Sequence, residues 1–172
     1  NGIPQDVFKP YPKEQLREAF NIPVGAKVIL FGAESHNNNR KGFNYLLDAL
    51  NNYDLDKNAD YVILTFGKNI ENNISKYPVR NAGQINNEKQ LAVIYSLADV
   101  FVIPSLQDNL PNVVVEAMSC GLPVVGFNVG GIPDMIEHKK TGYLVTPKDT
   151  KGLIEGINWV LASQSNRNDM AR

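Results

Sequence analysis

The chain has 172 residues, 43% hydrophobic and 20% charged, the usage of one ordinary globular domain with enough apolar side chain for a buried core, and far from the composition of disorder. Lys plus Arg number 17 against 18 Asp plus Glu, so no global positive field exists to hold a polyphosphate backbone, and nucleic acid is not an expected partner. A single cysteine, Cys120, with two histidines, His36 and His138, excludes an internal disulfide and the usual zinc ligand set, and points to a reducing compartment.

Residues 1–12 hold three prolines and no period, and read as a linker entering a domain. No leader pattern opens the chain, and no apolar run approaches the roughly 20 residues that cross a bilayer. Residues 27–32 form a near-continuous apolar run, the signature of a strand covered on both faces. A polar loop from Gly32 to Gly42 follows. Phe43, Leu46, Leu47 and Leu50 then fall at i, i+3, i+4 and i+7, one face of an amphipathic helix. Residues 61–66 are a second strand and 79–83 a weaker one. Leu91, Ile94, Tyr95 and Ala98 repeat the helical spacing, followed by a strand over 100–103. A helix over 112–120 has Pro111 near its first turn and Gly121 as its C′ residue. Strands over 123–127 and, more weakly, 142–145 precede a last helix over 150–161, whose apolar side is Leu153, Ile154, Ile157, Val160 and Leu161. Residues 163–172 read as a polar, frayed tail. This alternation predicts an α/β fold, a Rossmann-like parallel sheet of about six strands with helices on both faces.

In such sheets ligands sit at the carboxyl ends of the strands. The loop after the first strand ends in Arg40, Lys41 and Gly42 at a helix start, where free backbone N–H groups, the positive helix end and two cations suit an anion. Solvated cations are the alternative. Neither a G-x-G-x-x-G after the first strand nor a G-x-x-x-x-G-K-[ST] occurs, which disfavours dinucleotide oxidoreductases and P-loop hydrolases.

The loop 104–111 carries Asp108, with Glu116 eight positions on and inside the following helix. Carboxylates accept well from sugar hydroxyls, so both suit a ligand at that helix start; a turn residue and a solvated helix residue are the alternatives. Glu116 nonetheless lies among Val114, Val115, Ala117 and Met118. Gly130 and Gly131 allow either close backbone approach to a ligand or a simple turn. Cys120, at a helix C-terminus that disfavours a thiolate, reads as a packing residue. His36 and His138 read as surface histidines.

The run Pro104-Ser105, then Asp108 through Met118, Gly121 through Val125 and Gly130-Gly131-Ile132-Pro133-Asp134, strongly resembles the family-4 retaining glycosyltransferases. Within them it is similar to the C-terminal, nucleotide-sugar-binding half of a two-domain GT-B enzyme. The likeness extends to residues 1–10, similar to that family's crossover between domains, and to Lys41-Gly42, its phosphate-binding pair. It implies a linker or crossover over 1–12 from an N-terminal domain outside this sequence, a donor-binding domain over 13–162 and a tail over 163–172.

Residue by residue, the resemblance implies that Glu116 accepts from the ribose hydroxyls, that Lys41 neutralises the diphosphate, and that Asp108 holds donor-sugar hydroxyls; Arg40 is the candidate substitute for the arginine that Ala33 replaces. It implies that Asn109 and Leu110 offer backbone N–H groups to the sugar or phosphate, and that Gln84 and Ile85 flank the base through main chain. Two positions depart from the pattern: Asp108 replaces the more usual glutamate, and Ala33 stands where many members have an arginine. A nucleoside-diphosphate sugar is then the donor substrate, with no cofactor and no metal expected. Its partner is a glycan or lipid-linked acceptor reached through the other domain, in a cytoplasmic enzyme able to sit peripherally on a membrane. The competing readings are a GT-B phosphorylase or epimerase, and a non-catalytic nucleotide- or sugar-binding module. Donor-dependent transfer by the full-length protein separates enzyme from module, and inorganic phosphate separates transferase from phosphorylase.

Overall fold

The computed structural model of the chain describes residues 2–35, 42–68, 75–107 and 112–162. In order they form α1 (Lys13–Ala19), β1 (Lys27–Ser35), α2 (Phe43–Asn52), β2 (Tyr61–Lys68), β3 (Val79–Asn81), α3 (Glu88–Leu97), β4 (Val100–Ile103), α4 (Asn112–Ser119), β5 (Val124–Phe127), α5 (Ile132–Met135), β6 (Gly142–Val145) and α6 (Thr150–Leu161). The strands make one parallel sheet in the order β3-β2-β1-β4-β5-β6. The chain builds outward from β1 to β3, then returns to add β4 on the other side of β1. This reversal is the topological switch point, and sheets of this kind hold ligands in a crevice outside the carboxyl ends of the strands at such a point.

Each strand sends alternate side chains to opposite faces, so the apolar residues of β4, β5 and the first half of β1 are buried on one side or the other. Ile29, Phe31, Val100, Val102, Val125 and Phe127 pack beneath α2 and α6. Val28, Leu30, Phe101, Ile103 and Val124 pack beneath α3, α4 and α5, and Phe8 of the N-terminal segment joins them, 2% exposed. The expected α4 boundary holds: Gly121 takes a left-handed φ of 80°, and Gly121 N–H and Leu122 N–H close the helix by donating to Met118 and Ala117 carbonyls.

Three features depart from the sequence reading. The polar loop expected from Gly32 starts later, because β1 continues to Ser35 alongside β2, with an irregular register between Gly32 and Ser35. α5, a single turn after Gly131, is too short to show a period. α1 buries no residue and so has no apolar stripe to read. It is held instead by charge: Arg17 donates to Asp99 at 2.7 Å and to the Leu97 and Ala26 carbonyls, while Lys13 reaches the other Asp99 oxygen at 3.1 Å. Asp99, 5% exposed, also accepts from Val28 N–H, tying the amino ends of β1 and β4 together.

Candidate functional site

The carboxyl edge at the switch point is built first by Gly42. It is the N-cap of α2 with φ 71°, in the left-handed region, and carries no side chain to cap the helix. A Cβ there would run into the Pro104 carbonyl after β4, so only glycine lets the loops after β1 and β4 approach so closely. α3 and α6 cap their own first turns with Asn87 and Asp149. The start of α2 has no acidic residue in its first turn and, among the described residues, no side-chain cap, so its positive end faces the carboxyl edge of the sheet.

The second contribution comes from α4. Glu116 is half-buried on its second turn, and its Oε2 accepts from the Tyr95 hydroxyl at 3.0 Å. Burial raises the Glu116 pKa, the Tyr95 bond offsets part of that, and the nearby Glu88 carboxylate adds to it. Among the described residues no cation pairs with it. A half-buried carboxylate with one neutral donor has acceptor capacity left for a ligand's hydroxyls.

The third comes from the segment after β3. Gly83, with φ 77°, donates to Asn81 Oδ1 and accepts from Gly67 N–H, which fixes the path into Gln84 and Ile85. Gln84 is exposed and Ile85 half-buried against the α3 and α4 face. Among the described residues neither backbone N–H has a partner, which leaves main-chain groups to meet a planar ring.

Glu116, Gly42, Gln84 and Ile85 thus share one edge of the sheet. Arg40, Lys41, Asp108, Asn109, Leu110, His36 and Pro111 lie outside the described residues. Cys120 is buried and its thiol is pushed up to about 12, by burial first and then by Glu116, in keeping with a packing role. His138 is exposed, and its Nδ1 accepts from Leu144 N–H at 3.0 Å. Gly131 serves as the N-cap of α5 and Gly130 takes a φ of 53°, so the pair makes a turn. A hollow of about 390 Å³ lined by Pro23, Ala26, Tyr61, Tyr77 and Arg80 lies at the amino edge, away from this crevice. Among the described residues no three His, Cys, Asp or Glu side chains gather as metal ligands, and no helix is long and apolar enough to cross a membrane. Sequence reasoning missed Tyr95, which it placed on a core face; the hydroxyl was the sole signal that the residue does more than fill space.

A doubly wound sheet that sets a glycine-started helix and a half-buried carboxylate at its switch point is of the nucleotide-binding α/β class. Within that class the chain belongs to the group 1 glycosyl transferases, whose family model matches residues 26–163. It is 32% identical over 158 residues to an uncharacterised glycosyltransferase of Methanocaldococcus jannaschii, covering 87% of this chain and 40% of that one. It superposes on sucrose-phosphate synthase of Thermosynechococcus elongatus with a TM-score of 0.82 at 26% identity, over 99% of this chain and 44% of the other. HepE of Anabaena, solved with UDP and glucose, shares the fold at a TM-score of 0.79 and 22% identity, over 99% and 48%. The chain therefore spans less than half the length of these relatives.

Proposed function

We propose that this chain is the donor-binding half of a retaining glycosyltransferase, which passes a sugar from a nucleoside-diphosphate sugar to a polysaccharide, oligosaccharide or lipid-linked acceptor. The observation that carries this reading is Glu116: a half-buried carboxylate on the carboxyl edge with one neutral hydroxyl donor has the acceptor capacity to take ribose hydroxyls. UDP and glucose in the structurally similar HepE support the ligand class.

Breaking the bond between the anomeric carbon and the diphosphate develops oxocarbenium character on the sugar and negative charge on the leaving group. The positive end of α2, with Lys41 and Arg40 before it, meets that negative charge without calling on a metal ion. Asp108 orients the donor sugar through its hydroxyls, and Asn109 and Leu110 add backbone donors at the start of α4. Gln84 and Ile85 flank the base. The acceptor is held by the other half of a two-domain enzyme, acting in the cytoplasm and able to work at a membrane face, so these 172 residues bind donor and do not turn it over. Retention of configuration rests on the family alone.

The test is a pair of calorimetric titrations, with a ribonucleoside diphosphate and its 2′,3′-dideoxy counterpart, in chelator, on wild type and Glu116→Gln. The ribonucleotide loses about tenfold or more in affinity, the equivalent of charge-assisted hydrogen bonds worth roughly 1.5–3 kcal/mol. The dideoxy ligand loses less, because it never made those bonds. Equal losses refute the assigned role, and binding that appears only with magnesium refutes the charge argument.

A further inference from the structure

Tyr95 is fully buried on α3, its ring packed against Phe101 at 5.5 Å between centroids and against Phe8 at 6.3 Å. Phenylalanine would fill that space without the cost of burying a hydroxyl, so the hydroxyl needs a partner. The partner is Glu116 Oε2, at 3.0 Å. The neighbouring Ser96 is already committed, donating to the Ala92 carbonyl and accepting from Tyr11 N–H. A ring clamped by two aromatic neighbours can point its hydroxyl in few directions, and so fixes where the carboxylate lies.

We propose that Tyr95 is a positioning residue for nucleotide recognition: its hydroxyl holds Oε2 of Glu116 in place and leaves Oε1 and the remaining acceptor capacity for the ribose. This rests on the ribose role proposed for Glu116 and adds that the role depends on a residue that never touches the ligand. It also sets the charge of the site. Among the described residues two groups on α3 face Glu116, Tyr95 and Glu88, and Cys120 lies just past the end of α4. Of the other elements packed on α4, α5 brings Asp134, which does not act on Glu116, and β5 brings no titratable group. Burial and Glu88 favour the protonated carboxyl; the Tyr95 bond works against them. Without the hydroxyl, Glu116 takes up a proton at a higher pH and loses the form that accepts from ribose.

The experiment is the same pair of titrations on wild type, Tyr95→Phe, Glu116→Gln and the double variant, repeated across pH. Tyr95→Phe lowers ribonucleotide affinity about three- to tenfold, a usual coupling for a contacting pair, and leaves the dideoxy ligand unchanged. The pH at which the ribose-dependent part of the affinity is half lost moves up. In the Glu116→Gln background Tyr95→Phe costs nothing further. A 3,5-difluorotyrosine at position 95, the same shape with a stronger donor, moves that pH down and provides the reading if Tyr95→Phe folds poorly. Equal losses for both ligands, an additive loss in the double variant, or a pH profile unmoved by either change at position 95 overturn the proposal alone. Full ribonucleotide affinity in Glu116→Gln overturns the ribose role and this inference with it.

Discussion

The two edges of the sheet each hold a carboxylate, and the two are treated in opposite ways. Asp99, at the amino edge, is 5% exposed and surrounded by Arg17, Lys13 and the Val28 N–H. Burial alone would raise its pKa, but these partners bring it below the usual value. Glu116, toward the carboxyl edge, is half-buried with one neutral donor, and its pKa is raised. The Asp99 charge is satisfied within the chain, whereas the Glu116 charge is left short among the described residues, and the fold carries that deficit. On the proposed ribose role of Glu116, affinity and stability lie at opposite ends of the same strands.

The largest test of that division is Asp99→Ala. It leaves the half-buried Arg17 without its counter-ion and the Val28 N–H without its acceptor, and is expected to destabilise by about 3 kcal/mol in urea unfolding, with nucleotide affinity of the folded fraction unchanged. A loss of affinity would mean that the edges are coupled. Gly42→Ala tests a place where a fold requirement stands on the same edge as Glu116. The left-handed backbone alone costs about 1–3 kcal/mol, and the collision with Pro104 adds to it, so stability and affinity fall together.

Thr65, fully buried near the carboxyl end of β2, has a buried hydroxyl with no hydrogen-bond partner among the described residues. Thr65→Val is expected to raise stability by about 1 kcal/mol or leave it unchanged. Smallest is the effect of Glu116→Gln on stability, within about 0.5–1 kcal/mol and favourable at neutral pH.

The same pair predicts opposite responses to pH. With a pKa below its usual 3.8, Asp99 contributes stability that is present above that value and lost as pH falls through the folded value. Glu116 is raised above 4.5; its contribution is present below 4.5 and lost as pH rises through the folded value. Unfolding followed from pH 3 to 7 shows the second slope in wild type and not in Glu116→Gln.

The sheet was legible because doubly covered strands have nowhere polar to point: Lys27 to Phe31 and Val100 to Ile103 announce themselves. Glu116 was half legible, since its apolar neighbours argued against full solvation. α1 was not, because it buries no residue and so leaves no apolar period; its anchor joins Arg17 to a residue 82 positions away, and no periodicity carries information over that distance. Tyr95 was read correctly as core and incompletely as chemistry, since a helical period reports which way a side chain points and not what its terminal atom meets.

The meeting of β1 and β4 also bears on how the chain assembles. β1 and β2 run in register from Lys27↔Tyr61 to Gly32↔Phe66, whereas β1 and β4 pair through Ile29↔Val100 and Leu30↔Phe101. The Val28–Asp99 bond beside them closes 71 residues of sequence. During synthesis β1, β2 and β3 leave the ribosome first, and one flank of β1 waits, apolar and unpaired, until β4 arrives. Closing so long a loop is the slow, entropically costly part of a non-local topology. The crevice where a nucleotide would sit is cut along that same seam, so a ligand bridging the start of α2 and the side of α4 would staple together the two halves whose joining comes last.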